Sequence, residues 1–504
     1  MVVFSCGTSR QACKMKGLWM SKVLVIGGGP GGSLTAMLLA RAGIDVTLLE
    51  RETFPRYHVG ESLTSSCRVM MDIAGVLEKV DAAGFTSRRG ALLKWGAEDW
   101  TIDWAELFGP DVRGWQVERA EFDEILLRHA QEQGVEVVEG AHVKRIVFDA
   151  DRPVAAEWVD TKGGSAQRVT EFDFLVDASG RSGVLASQHF RNRRAHEIFR
   201  NVAIWGYWDG GELLEGTPPG GLNVVSTPDG WFWVIPLRDG KFSIGFVTHK
   251  SRFIERRKEF ASDDEMLLAL VKESETVSGQ LADAEFSGPT RVEQDYSYVA
   301  DSFCGPGYFL VGDAACFLDP LLSTGVHLAM YSAVLAAASV ISTDNGQITE
   351  REAQGFYESL FRNSYARLIV LVSGVYEQYK GTDSYFWLAQ RLVREKERYV
   401  SPNGAFAEIS AGLTDLRDAA DSRGTSVMPE LLEEADQARQ RADANAPAGQ
   451  PANLSALRIE PGDLHDDASG LYLVTHPDLG VKRTRPANAP SGEGAEAVHQ
   501  GLDA

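Results

Sequence analysis

Lys22–Ile26 reads KVLVI, apolar at every position after the first, the pattern of a parallel strand covered on both faces. Glycine-rich residues follow, then a helical stretch over residues 33–42 and a second apolar run, 45–49, ending on Glu50. Together they predict a β-α-β unit. The run 119–129, ERAEFDEILLRHA in its wider setting, has the spacing of an amphipathic helix, and a strand is expected near 135–138. Residues 174–178 and 309–311 are short apolar runs of the buried-strand type. Between Asn201 and Val247, alternating segments rich in Trp, Phe and Ile predict an antiparallel sheet, suited to one wall of a substrate pocket. The most apolar long stretch, 321–341, approaches the length of a membrane span, but His327 and several hydroxyl residues interrupt it, so a buried helix is expected. Residues 350–399 are helical in pattern and rich in aromatics. From about 425 the chain turns to Ala, Pro, Gly and acidic residues, with one apolar piece at 471–474. The expected organisation is α/β: an extension over 1–20, a main body over 21–345 built from interleaved segments, a helical region over 346–424 and a flexible tail over 425–504.

Composition narrows the partners. A net charge of −21 over 504 residues opposes nucleic-acid binding, because a polyanion would be repelled. The five cysteines show no C-x-x-C spacing, which disfavours a zinc site or a disulfide framework and makes a reducing cytoplasm the expected compartment. Residues 1–20 have no continuous apolar core of the signal-peptide kind, and neither a metal nor a membrane partner is expected.

The candidate chemistry starts at Gly27-Gly28-Gly29-Pro30-Gly31-Gly32, a G-x-G-x-x-G between a strand and a helix. Gly27 permits the tight turn, Gly29 the approach of a pyrophosphate and Gly32 the close packing of helix on strand. The helix N-terminus faces the phosphate charge, and Glu50 stands where a carboxylate bonds ribose hydroxyls. These residues fit NAD as well as FAD.

Three further segments resemble the FAD-dependent monooxygenases. Arg119-x-x-Phe122-Asp123 matches their helix start, which implies a place for Arg119 near the pyrophosphate. Asp177-Ala178-Ser179-Gly180 matches their second glycine-containing turn. Gly312-Asp313-Ala314-Ala315 is similar to their GDA motif, which implies contact of Asp313 with the ribityl chain, although an N-cap suits Asp313 equally. The implied fold is a Rossmann-like FAD-binding domain with an antiparallel substrate-binding sheet and a helical C-terminal region.

Within that fold the chain resembles the flavin-dependent halogenases. Gly230-Trp231-Phe232-Trp233-Val234-Ile235-Pro236 matches their W-x-W-x-I-P signature, and Val59-Gly60-Glu61-Ser62-Leu63 their G-E-S segment. The segments 313–320, ending on Pro320, and 323–329 follow the halogenase pattern almost position by position. The resemblance is closest to the branch acting on phenolic, pyrrolic or carrier-bound rings, and it implies oxidoreductase chemistry in natural-product (antibiotic) biosynthesis. It implies that Glu61, Trp231 and Trp233 lie near the flavin, and that Thr324 and Gly325 hold a chloride ion at a helix N-terminus. Pairing of the tryptophans on one face of a strand is also what plain core packing produces. In this family reduced flavin, delivered by a separate flavin reductase, uses oxygen to make hypohalous acid from halide, and a lysine conveys it to an electron-rich ring. Here the sequence departs from the pattern. Counting from Glu61-Ser62 to Trp95-Gly96 places Arg88 at the lysine position, and Thr64-Ser65-Ser66 replaces the usual Pro. A guanidinium can hydrogen-bond hypohalous acid but is too weak a nucleophile to form a chloramine. A hydroxylase or oxidase of the same fold, or a flavin-binding protein without turnover, are the alternative readings. Asp295 matches a segment near the flavin, where a carboxylate is able to form an ester with the flavin methyl carbon and so attach FAD covalently. A turn-capping role is its other reading.

Overall fold

A computed structural model of the chain describes residues 21–378 and 470–483, apart from 97, 162, 164–165, 196–199 and 295–296. Asp295 and the proposed extension therefore lie outside the described residues, as do most of the helical region beyond 378 and of the tail.

The first β-α-β unit forms as the pattern predicts: β1 (Lys22–Ile26), α1 (Pro30–Arg41) and β2 (Asp45–Glu50). Pro30 opens α1, where a missing N–H costs no hydrogen bond and φ is already helical. Then come α2 (Arg119–Glu132), β3 (Glu136–Glu139) and β4 (Phe174–Asp177). Strands β3, β2, β1, β4 and Tyr308–Leu310 lie side by side and parallel, with Cys304–Gly305 antiparallel at the far edge. Residues of β1, β2 and β4 that face the covering helices are almost completely buried, which is why each reads as a continuous apolar run.

A second sheet is largely antiparallel. It is built on β5 (Asn201–Asp209), β6 (Leu222–Thr227), β7 (Gly230–Pro236) and β8 (Lys241–His249), in the order β5-β8-β7-β6. Gly90–Trp95 joins β6 in parallel and pairs with Glu98–Asp103. Because side chains alternate, one face of this sheet turns to the dinucleotide-type sheet. The other face packs Ile204, Trp208, Phe232, Val234 and Phe246 against the helix Asp263–Glu273 and its successor.

The apolar stretch near 321–341 is α3 (Gly325–Asp344). It is long and apolar enough to cross a membrane, yet 89 % of that window is buried inside the protein, packed on α1 and on α4 (Glu350–Gln378). The apolar piece at 471–474 is a strand. β9 (Leu471–Val474) and β10 (Gly480–Arg483) form a hairpin whose Val481 N–H donates to Ser342 of α3 at 2.7 Å.

Candidate active site

The ends of both sheets converge on a cavity of about 380 Å³, within the range of a cofactor or small-molecule pocket. Its lining includes Gly27, Gly29 and Glu50 from the first unit, Asp313, Pro320 and Gly325 from the later segments, and Trp231 and Trp233 from the second sheet. Segments almost three hundred residues apart in sequence thus meet in one space.

At the glycine turn the packing leaves no room for side chains where backbone meets backbone. A Cβ on Gly32 would stand 1.9 Å from the Gly27 carbonyl oxygen, and one on Gly27, where φ is +102°, 2.3 Å from that of Ala178. A Cβ on Gly29, by contrast, would meet only a terminal nitrogen of Arg56 at 3.5 Å. Open space therefore lies over Gly29, at the N-terminus of α1 and beside a guanidinium, which is what a pyrophosphate needs. Glu50 is held in position by the N–H groups of Gly28 (2.6 Å) and Glu52 (2.7 Å). A carboxylate accepting two bonds retains acceptor capacity for ribose hydroxyls. These residues fit FAD.

Arg119 lines the cavity but commits its guanidinium within the protein. It pairs with Asp123 through two bonds of 2.8 and 2.9 Å and donates to the carbonyls of Val59 and Gly60 at 2.7 and 3.2 Å. Arg56 joins Asp123 at 2.9 Å. Arg119 thus anchors the loop that carries Arg56 and Glu61. Arg56 is the cation nearest the open cradle, and nothing in the local sequence pattern singled it out.

Asp177 is turned away from the cavity. Its carboxylate accepts from the N–H and hydroxyl of Ser179 (3.1 and 2.5 Å) and from Leu185 N–H (2.7 Å), and Ala178–Ser182 supply the lining instead. Asp313 does line it. Burial pushes its carboxyl up to about 6, against the lowering effect of Arg181, Arg119 and Arg193.

Trp231 and Trp233 face the cavity together, with ring centroids 6.1 Å apart, and Trp205 of β5 lies 6.2 Å from Trp233. Strand register explains this wall. Gly245 of β8 stands directly between Trp205 and Trp233, and a Cβ there would lie 2.1 Å from the Trp233 ring. The missing side chain is where the indole rests. Trp208, three residues on from Trp205, points to the opposite face and packs on Phe286.

Glu61 lines the cavity and is 4 % exposed. It accepts a 2.6 Å hydrogen bond from Tyr207. Burial raises its carboxyl pKa above the ordinary range, although the hydroxyls of Tyr207 and Ser243 work the other way. Ser323 adopts a left-handed φ of +58° before α3, so that Ser323, Gly325 and Val326 border the cavity at the helix start. Thr324 is buried, outside that lining, and its carbonyl accepts from Leu328 N–H at 2.9 Å.

Arg88 is 4 % exposed, on the short strand Thr86–Arg88, and is not part of the lining of this cavity. Its guanidinium lies 4.6 Å from the Trp104 ring centroid and donates to the carbonyls of Gly90 (3.2 Å) and Leu63 (3.4 Å). No carboxylate among the described residues forms an ion pair with it, and burial pushes its pKa down to about 9.

The model of the tryptophan halogenase family matches residues 22–114 and 112–411. The chain is 43% identical over 409 residues to a tryptophan 2-halogenase of Chondromyces crocatus, covering 79% of this chain and 77% of that protein. It is 34% identical over 410 residues to the sulochrin halogenase of Aspergillus terreus, covering 74% of each. Among solved structures, the myxobacterial chondrochloren halogenase, an FAD-dependent halogenase, superposes with a TM-score of 0.68 at 34% identity, over 83% of this chain and 96% of the other. A second flavin-dependent halogenase gives 0.68 at 31% identity, over 85% and 78%.

Proposed function

The chain belongs to the tryptophan halogenase family of FAD-dependent enzymes, and from that premise we propose that it chlorinates a free, electron-rich aromatic small molecule. The enzyme is a flavin-dependent halogenase with FAD as cofactor and halide as co-substrate. Bound reduced FAD with oxygen supplies the oxidant that converts halide into hypohalous acid. The protein's own residues do the rest. Gly27, Gly29, Glu50 and Arg56 hold the cofactor, the tryptophan wall restricts water, and the start of α3 offers N–H groups to a halide.

One observation carries the reading: the dinucleotide cradle, the helix start at Gly325 and the wall of Trp205, Trp231 and Trp233 border a single cavity. The acceptor is the finer question. The relatives' names cite tryptophan in one case and sulochrin in another, so the shared reaction does not dictate the ring. The indole-rich wall favours a flat aromatic acceptor. A carrier-bound acceptor, the phenolic or pyrrolic preference and a place in antibiotic biosynthesis are narrower than these relatives support. The buried free thiols Cys67, Cys304 and Cys316 favour a reducing compartment such as the cytoplasm.

Arg88 is proposed to guide hypohalous acid as a fixed hydrogen-bond donor. Its unpaired charge, held over Trp104, favours that role. The same residue favours the second reading, a hydroxylase, since no amine stands at that position to form a chloramine. The test is mass spectrometry of products from the enzyme with reduced FAD, oxygen and a panel of indoles and phenols, with and without chloride. Chloride-dependent chlorinated product is expected. Arg88→Ala is expected to cut that product at least about tenfold, and Arg88→Lys to retain or raise it. Hydroxylated product formed equally without chloride would overturn the assignment.

A further inference from the structure

Two hydrogen-bond chains begin on indoles of the cavity wall and end on one buried carboxyl. An indole N–H only donates. Trp205 Nε1 donates to Tyr57 Oη at 2.8 Å, which leaves the Tyr57 proton for Tyr207 Oη at 2.9 Å. Tyr207 in turn donates to Glu61 Oε1 at 2.6 Å. In the second chain Trp233 Nε1 donates to Ser243 Oγ at 3.2 Å, and the Ser243 hydroxyl bonds Glu61. Because each chain starts on an indole that can only donate, both run in one sense, toward Glu61, and the carboxyl's own proton lies outside them.

The ends differ in access. Glu61 is 4 % exposed and Tyr57 41 %. Tyr57 and Glu61 both border the cavity, but Tyr207, which joins them, lies behind its lining. The bonds that Tyr207 makes to Tyr57 and Glu61 therefore lie outside the space that cofactor and acceptor fill. The charged groups around it are few. Arg119 and Glu118 act on Glu61 from the start of α2, with Arg119 already paired to Asp123. Arg291 lies over the Tyr57 ring at 3.6 Å, and Lys241 over the Tyr207 ring at 5.6 Å. Arg291 favours transient negative charge on Tyr57. Burial keeps both hydroxyls protonated at rest and retains a proton on Glu61 to higher pH than an exposed carboxyl would.

We propose that Glu61 delivers a proton into the flavin cavity and that Tyr207 and Tyr57 recharge it from solvent, a proton wire of three residues. The purpose of that proton rests on the halogenase reading. Reduced flavin (FADH2), oxygen, halide and a ring C–H become oxidised flavin, a carbon–halogen bond and two waters only when one proton is added. In the wire, the Glu61 O–H breaks toward the cavity. The Tyr207 proton moves to the carboxylate, the Tyr57 proton to Tyr207, and a proton from solvent water to Tyr57. Every oxygen ends as it began and nothing in the wire is oxidised or reduced.

The test uses the FAD-loaded, oxidised holoenzyme without halide or acceptor. The protonated Glu61 carboxyl is identified in the infrared by its loss in Glu61→Gln, and its hydrogen–deuterium exchange is followed after rapid mixing into D2O. Tyr57→Phe cuts the wire at its exposed end while the Tyr207–Glu61 bond remains. It is expected to slow exchange at least about tenfold with the Glu61 titration unchanged. Tyr207→Phe is expected to slow exchange as well and to raise the Glu61 titration, because a donor to the carboxylate is lost. In turnover, Tyr57→Phe should lower kcat with KM unchanged and enlarge the solvent isotope effect. Exchange in Tyr57→Phe as fast as in the native enzyme, or no protonated Glu61 band above the pH range in which an exposed carboxyl ionises, would overturn the wire. Chloride-independent products with slowed exchange would sink the halogenase reading and leave the wire standing.

Discussion

Strands β5, β7 and β8 carry two surfaces that alternate residue by residue and differ in almost everything else. On one face Ile204, Trp208, Phe232, Val234, Ile244 and Phe246 form a dry cluster closed by two helices. On the other, Trp205, Trp231 and Trp233 border a cavity, and the N–H groups of Trp205 and Trp233 are both spent on hydrogen bonds. Tryptophan occurs on both, since Trp208 belongs to the dry face. What separates the faces is what stands opposite each side chain. The dry face meets the helices of residues 263–280, whereas the cavity face meets open space beside the glycine turn. Residue type alone therefore does not mark a functional wall; an aromatic row that borders a cavity with its polar atoms committed does.

The comparison can be broken at its edges. The largest effect is expected where the cavity meets the cradle: Gly29→Trp fills the space over the α1 N-terminus and should weaken FAD binding by about 100-fold or more, measured by flavin absorbance after reconstitution. Because a Cβ at Gly29 meets only the mobile end of Arg56 and points into the cavity, the fold should persist by circular dichroism. Normal flavin binding in this variant would misplace the cradle.

On the dry face Phe232→Ala should cost about 3–5 kcal/mol of unfolding free energy, read by denaturant titration of the apoprotein, while the flavin spectrum of the loaded protein is unchanged. Its neighbour Trp233, 6 % exposed and part of the main core cluster, should cost a similar amount when truncated in the same way, yet should also remove most chlorinated product. Chlorination retained in Trp233→Ala would show that its face serves packing alone.

The smallest effect concerns Asp313. Its carboxyl ionises near 3.8 when unfolded and is pushed to about 6 by burial in the folded apoprotein. The folded state thus binds the proton more tightly, and stability is lost as pH rises from below the unfolded value through about 6. Asp313→Asn, which cannot ionise, should match the native apoprotein at pH 4 and exceed its Tm by a few degrees at pH 8. A constant difference across that range would place the carboxyl in a solvated setting.

Much of this was legible without coordinates. The β-α-β unit, its glycine turn and Glu50 were readable because close backbone approach demands glycine at set spacings. The W-x-W pair was readable because strand alternation puts residues two apart on one face. The reading was incomplete where a side chain's partner is fixed by the folded chain. Asp177 turned inward to tie its own turn, and Arg119 paired with Asp123 to hold a loop. Arg56 and Tyr57, in a stretch without periodicity, came to stand beside the cradle and at the exposed end of a hydrogen-bond chain. The apolar residues near 471, set in a tail-like composition, proved to be a strand docked on α3.

By itself the sequence determined the local backbone menu: where the chain must turn tightly, which runs are buried on both faces and which residues share a strand face. These follow from φ/ψ sterics and from the periods of strand and helix, and both act within a few residues. Only the tertiary structure decided which face of the second sheet fronts the cavity, that Gly245 seats Trp233, and that Trp205, Tyr57, Tyr207 and Glu61 join in one chain. Those contacts link residues up to about 150 positions apart, and their partners are set by how two sheets pack together, which no local rule encodes.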